Sequence, residues 1–264
     1  MDAGPEHLDA AKAKNLTAAL RATTDRLFQL VLDSDPDILK ATLHNPNLSD
    51  DHLLVMLKRR DLPEELPKLI HQRRKKNLSH QLMVALAKNP TTPGSLIRNL
   101  LPHLRMFELV DLCFIPGVTA DQRLAAERAI IQRLPTTPLG NKITIARRAT
   151  ANVVGELLKE GDPRTLEACL NSSRVKEAAV FQLLNGPAST ATTISMIARN
   201  SRWNQRPNIR MAILKNRLTP AIWFTIWLPT LPVVLINQLL ASRRLSPQQK
   251  VLIQAELKNR TKRH

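Results

Sequence analysis

The feature that most constrains this fold is a turn that recurs between short apolar segments. Its two clearest copies are residues 45–49, Asn-Pro-Asn-Leu-Ser, and residues 89–92, Asn-Pro-Thr-Thr. Asn tolerates the left-handed backbone that ends many helices, Pro cannot continue that helix, and Ser or Thr accepts hydrogen bonds from the first free amides of the next one. We therefore expect each turn to end one helix and start another.

Looser copies of this turn follow along the chain, at 134–138, 171–173, 216–220 and 243–247. The equivalent positions 45, 89, 134, 171 and 216 are separated by 44, 45, 37 and 45 residues. This spacing is typical of helix-pair repeats of the HEAT and armadillo class, which run roughly 40–47 residues. The apolar periodicity between the turns predicts helices over 16–32, 37–44, 50–59, 63–73, 79–88, 93–101, 103–113, 120–134, 140–148, 152–159, 163–170, 174–184, 190–199, 206–215, 220–228, 230–241 and 247–260.

The composition supports a purely helical protein. The chain has 7 Gly, 18 Pro and no Tyr, which disfavours sheets that depend on aromatic residues and Gly-containing turns. Isolated helices below about 12–15 residues are marginal in water, so helices this short must stack on one another. We predict an all-α solenoid in three parts: an N-terminal tail and capping helix over 1–35, a repeat array over 36–185, and basic repeats over 186–264 that continue the array.

The turns between short leucine-rich helices over residues 36–260 resemble those of the variant leucine-rich repeat and HEAT-like α-solenoid proteins of bacteria. The resemblance is to a pattern and not to a site, so it implies an α-solenoid fold more than any activity. One variant leucine-rich repeat type holds an iron–sulfur cluster on cysteines that precede its repeats. This chain has only Cys113 and Cys169, and both lie within apolar helical patterns. The resemblance therefore does not predict an iron–sulfur cluster in this protein.

The positive charge is concentrated in the last third of the chain. The formal net charge is +17, and between Glu177 and Glu256 nine Lys or Arg residues occur without a single Asp or Glu. The densest group surrounds Trp203, which could stack on a nucleic-acid base or pack beneath the arginines. The predicted anion-binding or partner-binding residues are Arg199, Arg202, Trp203, Arg206, Arg210, Lys215 and Arg217.

The N–H donors of an arginine near a helix N-terminus can bind two oxygens of a phosphate or carboxylate at once. The expected partner is therefore an acidic protein surface or a nucleic acid, and its binding should weaken as the salt concentration rises. An anionic lipid headgroup would be attracted by the same positive charges. A solvated basic face with no partner is the alternative. A second basic run at 73–76, Arg-Arg-Lys-Lys, is predicted to lie in a loop and to supply non-specific phosphate contacts.

The sequence lacks the residue patterns that several kinds of cofactor, metal and catalytic site require. Seven scattered glycines cannot build a phosphate-binding loop, and no His or Cys pair has metal-ligand spacing. We therefore predict no cofactor, no metal and no catalytic residues. Asp162, before Pro163, is predicted to cap a helix. The expected function is that of a non-enzymatic scaffold.

Two alternatives remain open. HEAT-like DNA glycosylases share an all-α stack with a basic groove but need a carboxylate, which Glu156, Glu160 or Glu177 would have to supply. Residues 218–242 carry no charge over 25 positions, which is long enough to span a bilayer, although Pro229 and Pro232 favour two buried helices instead. The acidic N-terminus lacks the apolar stretch of a secretory signal, and we expect a cytoplasmic protein.

Overall fold

The computed structural model describes residues 10–261, and within them the protein is all-α, as the sequence predicts. That part of the chain holds nineteen α-helices and three single-turn 3-10 helices, and it contains no β-strand. Residues 1–9, the first part of the predicted tail, lie outside the described residues. The chain divides into two compact units, residues 1–129 and 130–264, with the boundary inside one helix. The predicted boundaries at 35/36 and 185/186 remain predictions.

The helices of the first unit, the last of which crosses the boundary, are α1 Ala10–Arg21, α2 Thr24–Leu30, α3 Pro36–Thr42, α4 Asp50–Met56, α5 Glu65–Arg74, α6 His80–Lys88, α7 Gly94–Leu100, α8 Met106–Leu112 and α9 Ala120–Arg133. Those of the second unit are α10 Leu139–Arg148, α11 Ala151–Lys159, α12 Pro163–Asn171, α13 Glu177–Asn185, α14 Ala191–Arg199, α15 Ser201–Asn204, α16 Pro207–Leu214, α17 Ala221–Trp227, α18 Val233–Leu240 and α19 Pro247–Thr261. Short 3-10 turns follow α7, α9 and α17.

Local capping explains where several helices begin. Asp162 accepts a hydrogen bond from the backbone N–H of Arg164, with Pro163 in the first turn of α12, which confirms the predicted cap. Asp35 caps α3 in the same way, again directly before a proline. A proline in the first turn loses no hydrogen bond, and its fixed φ angle suits the helix.

Within each unit, a helix packs against the second helix after it along the chain. In the first unit α1 packs on α3, α2 on α4, and α4 on α6; in the second, α10 packs on α12, α11 on α13, and α12 on α14. Because α15 is a single turn, α13 packs on α16. The partners in these pairs begin 24 to 30 residues apart, as Leu139 and Pro163 do for α10 and α12. This arrangement is compatible with a helical repeat fold.

The helix-pair length inferred from the turns is therefore wrong. Positions 45, 89, 134, 171 and 216 lie at or just after the ends of α3, α6, α9, α12 and α16. Each spacing of 37 to 45 residues therefore spans three helices rather than two, with the single turn α15 as a fourth in the last interval. The reason is that the recognisable turn occurs at only some helix ends. Other helices end without it, and counting turns therefore overestimates the repeat.

The turn asparagines do not adopt the left-handed conformation that the sequence suggested, since no residue other than glycine has a positive φ among residues 10–261. Instead, the Asn45 amide donates to the carbonyls of Ala19 and Ala22, at 2.9 and 3.0 Å. Its Oδ1 atom accepts the backbone N–H of Asn47, which forms a local turn. The side chain thus joins the end of α3 to the end of α1.

Asn89 repeats this arrangement one step later in the first unit. Its amide donates to the carbonyls of Leu57 and Arg59, at 2.8 and 2.7 Å, and its Oδ1 accepts the N–H of Thr91. In the second unit, the Asn216 amide donates to the Leu184 carbonyl at the end of α13, at 2.6 Å. The last carbonyls of a helix have no partner within that helix, so these clamps satisfy groups that would otherwise be unpaired.

Both cysteines lie in the core, as their apolar surroundings in the sequence indicate. Burial raises the pKa of each thiol to about 12, and a carboxylate, Glu127 near Cys113 and Glu160 near Cys169, adds to the shift. The thiolate is the reactive form of cysteine, so these side chains are inert packing residues in the folded protein.

The uncharged segment 218–242 forms two short helices, α17 and α18, separated by the 3-10 turn Leu228–Thr230. This matches the interpretation of the segment as two helices. Among residues 10–261, none of the helices combines the length and the apolar character needed to cross a bilayer.

Candidate anion-binding site

Trp203 lies in the core of the second unit. The side chain is 1% exposed, and its Nε1–H donates to the Leu170 carbonyl at 2.9 Å, at the end of α12. Of the two roles considered for this ring, the structure shows packing beneath the arginines. The ring face is not open to a nucleic-acid base.

Arg202 covers this tryptophan and binds the turn after α12. Its Cζ atom lies 4.6 Å from the Trp203 ring centroid. Its two terminal nitrogens donate to the carbonyls of Ser172 and Val175, at 2.6 and 3.2 Å. The guanidinium group therefore satisfies two backbone acceptors inside the chain.

Arg206 and Arg210 also have internal partners. Arg206 forms an ion pair with Glu177 at 3.2 Å, from the start of α13. Arg210 donates through Nε to the Asn204 carbonyl at 2.7 Å, and its Cζ lies 5.4 Å from the Trp227 ring centroid. Within residues 10–261, Arg206 thus has a carboxylate partner, while Arg202 and Arg210 use backbone oxygens.

The remaining predicted residues, Arg199, Lys215 and Arg217, make no side-chain hydrogen bond or ion pair with the described part of the chain. Arg199 ends α14 and is exposed. Lys215 and Arg217 follow α16 directly and line a cavity of about 720 Å³. The predicted residues are therefore split: one group has internal partners, Lys215 and Arg217 line this cavity, and Arg199 is exposed outside it.

The cavity, which we call the basic cavity, lies between the C-terminal ends of α13 and α16 and the turn after α18. Four basic side chains line it: Lys215, Arg217, Arg243 and Arg244. Arg244 donates to Asn185 Oδ1 at 3.0 Å, which links the turn after α18 to the end of α13. A second cavity of about 510 Å³ shares Lys215, Arg243 and Arg244, so the basic surface continues beyond the first.

Among residues 10–261, no carboxylate lines the basic cavity. The chain has no Asp or Glu from 178 to 255, and the two acids that bracket this interval are engaged elsewhere. Glu177 pairs with Arg206, and Glu256 pairs with Arg260 at 2.8 Å. Like charges that share a concave, low-dielectric wall reinforce one another, so the cavity concentrates positive potential.

Asn185, Asn208 and Ser189 also line the cavity and add hydrogen-bonding groups to the four cations. Arginine forks and amides together can bind carboxylate or phosphate oxygens. The sequence-based site omitted Arg243 and Arg244. Their position directly after α18, which matches that of Lys215 and Arg217 directly after α16, is the signal that could have identified them.

The three carboxylates considered for a glycosylase lie apart from this cavity. Glu156 pairs with Lys159 at 2.6 Å, Glu160 with Lys142 at 2.7 Å, and Glu177 with Arg206. Across residues 10–261, no group of three His, Cys, Asp or Glu side chains is placed to hold a metal ion.

The second basic run, residues 73–76, is partly structural. Arg73 and Arg74 belong to α5, and their guanidinium groups donate to the carbonyls of Leu43 and Leu48, both at 2.6 Å. These two arginines stabilise the turn after α3. The prediction that the whole run lies in a loop is therefore wrong for its first two residues.

No protein-family model, no curated protein and no solved structure matches this chain. Its function must therefore be inferred from the chemistry of its own side chains.

Proposed function

We propose that this protein is a non-enzymatic α-solenoid scaffold, of the HEAT-like or variant leucine-rich repeat type, that binds an anionic partner through the basic cavity. The helix-on-second-helix packing within each unit supports the solenoid. The resemblance to bacterial repeat proteins and the two buried, inert thiols fit a protein of the bacterial cytoplasm.

One observation carries the binding proposal. Lys215, Arg217, Arg243 and Arg244 line one cavity, and no carboxylate from the described part of the chain lines it. Charged side chains are costly to gather without a counter-charge, whereas an incoming carboxylate or phosphate would relieve their mutual repulsion. The partner's anionic groups would therefore bind where the protein's own charges are unbalanced.

The centre of this site differs from the one inferred from the sequence. Reversing the charge of Arg202, Arg206 and Arg210 would remove contacts that hold α12, α13 and α16 together, so a loss of binding would not separate partner contacts from folding. Lys215 and Arg243 are the better choice, since neither side chain makes a hydrogen bond or ion pair with residues 10–261 that such a change would break.

The test is a double charge reversal, Lys215→Glu with Arg243→Glu, measured by fluorescence anisotropy against labelled oligoglutamate and oligothymidylate at low and high salt. We expect salt-sensitive binding of at least one probe, and about a tenfold or greater weakening in the variant. The matched control is Arg128→Glu with Lys258→Glu, two exposed residues outside the cavity that give the same change in net charge.

Equal affinity in the two double variants would show that binding follows net charge and not the cavity, and would refute the proposal. Absence of binding by the unmodified protein to both probes would also refute it. Helical circular dichroism of each variant checks that the fold is intact.

A further inference from the structure

The exposed surface next to the basic cavity is aliphatic and carries no charge. Five large aliphatic side chains over residues 218–234 are between 47% and 67% exposed, namely Leu218, Ile222, Ile226, Val233 and Val234. The other exposed positions from 218 to 242 are Ala, Thr, Pro, Asn and Gln. We call this surface, presented by α17, α18 and the turns around them, the aliphatic face.

The aliphatic face is additional to the core of these helices. Trp223, Phe224 and Trp227 of α17 are buried, at 8%, 0% and 5% exposure, and they fill the inward side of the helix. The Trp223 indole also donates to Ser195 at 3.1 Å. Ile222 and Ile226 lie four residues apart on the outward side, so α17 is apolar on both sides. A helix that is apolar all round is normally buried on both sides.

The aliphatic face and the basic cavity share one side chain. Leu218 lines the cavity beside Arg217 and is also the first exposed side chain of the aliphatic face. Ile222 follows it by four residues, in the first turn of α17. A partner bound in the cavity would therefore contact Leu218, and Ile222 is the next exposed aliphatic side chain along the chain.

We propose that the partner is an acidic protein segment with aliphatic side chains, which places carboxylates on Lys215, Arg217 and Arg243 and packs its aliphatic residues on Leu218 and Ile222. This inference rests on the proposed function and specifies the class of partner. Charge complementarity supplies the orientation, while burial of the aliphatic face supplies affinity that salt does not screen.

Three other occupants fit less well. A single-stranded nucleic acid typically stacks its bases on exposed aromatic rings, whereas the tryptophans of the second unit are all buried and Phe181, the aromatic side chain that lines the cavity, is half-buried. A second copy of the chain would bring two basic cavities together, at a formal charge of +17 per chain. A lipid surface is flat, whereas the cations line a concave cavity, and peripheral membrane helices expose the aromatic residues that α17 buries.

The experiment compares two labelled twelve-residue peptides with equal numbers of glutamates. One repeats Glu-Glu-Leu-Leu and the other repeats Glu-Glu-Ser-Ser. Binding to the full chain is measured by anisotropy, beside an oligothymidylate of equal charge and vesicles of phosphatidylglycerol mixed with phosphatidylcholine. We expect the leucine peptide to bind at least about tenfold more tightly than the serine peptide, which corresponds to burial of one or two aliphatic side chains.

Two variants assign that difference to the face. Ile222→Ser with Leu218→Ser should bring the affinity for the leucine peptide close to that for the serine peptide. Leu124→Ser, which alters an exposed leucine of α9, should leave both affinities unchanged. The changed side chains are exposed, so the fold should persist, and the comparison of the two peptides on the unmodified protein does not depend on any variant.

The possible outcomes distinguish the acidic, aliphatic partner from anion binding in general. If both peptides bind equally through the cavity, the aliphatic partner is excluded while anion binding stands. Tighter binding of the oligothymidylate or of the vesicles identifies a nucleic acid or a membrane and overturns the acidic segment alone. If no probe binds in a manner that depends on Lys215 and Arg243, both proposals fail.

Discussion

The Arg–Trp cluster of Arg202, Trp203, Arg206 and Arg210 and the basic cavity look alike in the sequence but have different roles in the structure. Both belong to the second unit, and both lie in the interval from 178 to 255 that contains no acid. In the cluster, the arginines donate to Ser172, Val175 and Asn204 carbonyls or pair with Glu177. In the cavity, Lys215, Arg217 and Arg243 make no side-chain hydrogen bond or ion pair with residues 10–261, and Arg244 donates to the Asn185 side chain.

This difference shows that a count of charged residues in the sequence omits the backbone carbonyls that an arginine can bind. The last carbonyls of each short helix need donors from outside that helix, and a chain built from many short helices has many such carbonyls. Arginine can donate to two of them at once, as Arg202 does. A run of arginines without acids can therefore be structural, and the cations without such acceptors are the ones that indicate a binding site.

The largest expected effect comes from Trp203→Ala. The change removes a buried indole and its hydrogen bond to the Leu170 carbonyl, and it should lower the free energy of unfolding by about 3–5 kcal/mol in urea titrations. Trp203→Phe, which keeps a ring but loses the hydrogen bond, should cost less. A loss below about 1 kcal/mol for Trp203→Ala would mean that the cluster is not part of the core.

The reactivity of the Cys169 thiol should report locally on the Trp203→Ala change. Burial raises the pKa of its thiol to about 12, so it should react slowly with a thiol reagent at neutral pH. It precedes Leu170, the acceptor of the Trp203 hydrogen bond, and Trp203→Ala should therefore accelerate its labelling. Cys113, which belongs to the first unit, is the internal control for mass-spectrometric detection.

The second-largest effect on stability is expected for Arg202→Ala. It leaves the Ser172 and Val175 carbonyls without their charged donor and removes the group stacked on Trp203, so we expect a loss of about 1.5–3 kcal/mol in the free energy of unfolding. Arg202→Lys should restore only part of this, because an ammonium lacks the planar fork that reaches both oxygens. Chemical denaturation of the three proteins measures the difference, and a full rescue by lysine would contradict the proposed geometry.

Much of the helical pattern could be predicted from the sequence, because apolar spacing and capping residues act locally. The helix predicted over 163–170 corresponds to α12, Pro163–Asn171, and the one over 206–215 to α16, Pro207–Leu214. The helix predicted over 16–32 is in fact two, α1 and α2, and the single turn α15 was not predicted. The break between α1 and α2, at residues 22 and 23, carries no proline or glycine that would mark it.

Contacts between distant residues could not be predicted. Asn45 and Asn89 have the residue type that ends helices, yet they act by donating to carbonyls 23 to 32 residues earlier in the chain. The same holds for the site, since whether Arg202 or Lys215 faces a cavity depends on which carbonyls the packing brings near. Local chemistry thus predicts the elements, while the roles of individual polar residues depend on the packing.

A smaller effect is expected for the ion pair between Arg206 and Glu177. The Arg206 side chain is 51% exposed, so solvent screens the pair, and we expect a coupling energy of about 0–1 kcal/mol from a double-mutant cycle of Arg206→Gln and Glu177→Gln. The coupling should shrink further in high salt. A salt-independent coupling of several kcal/mol would show that the pair is a structural anchor like Arg202.

The smallest effect on stability is expected in the basic cavity, where Lys215→Ala and Arg243→Ala should each change the free energy of unfolding by no more than about 0.5 kcal/mol. Neither side chain makes a hydrogen bond or ion pair within the described part of the chain, so no internal contact is lost. Removal of either cation should even relieve repulsion among its neighbours, which makes a slight gain in stability at low salt the expected sign. A loss of more than about 1 kcal/mol would place these residues with the structural arginines and remove the distinction on which the binding site depends.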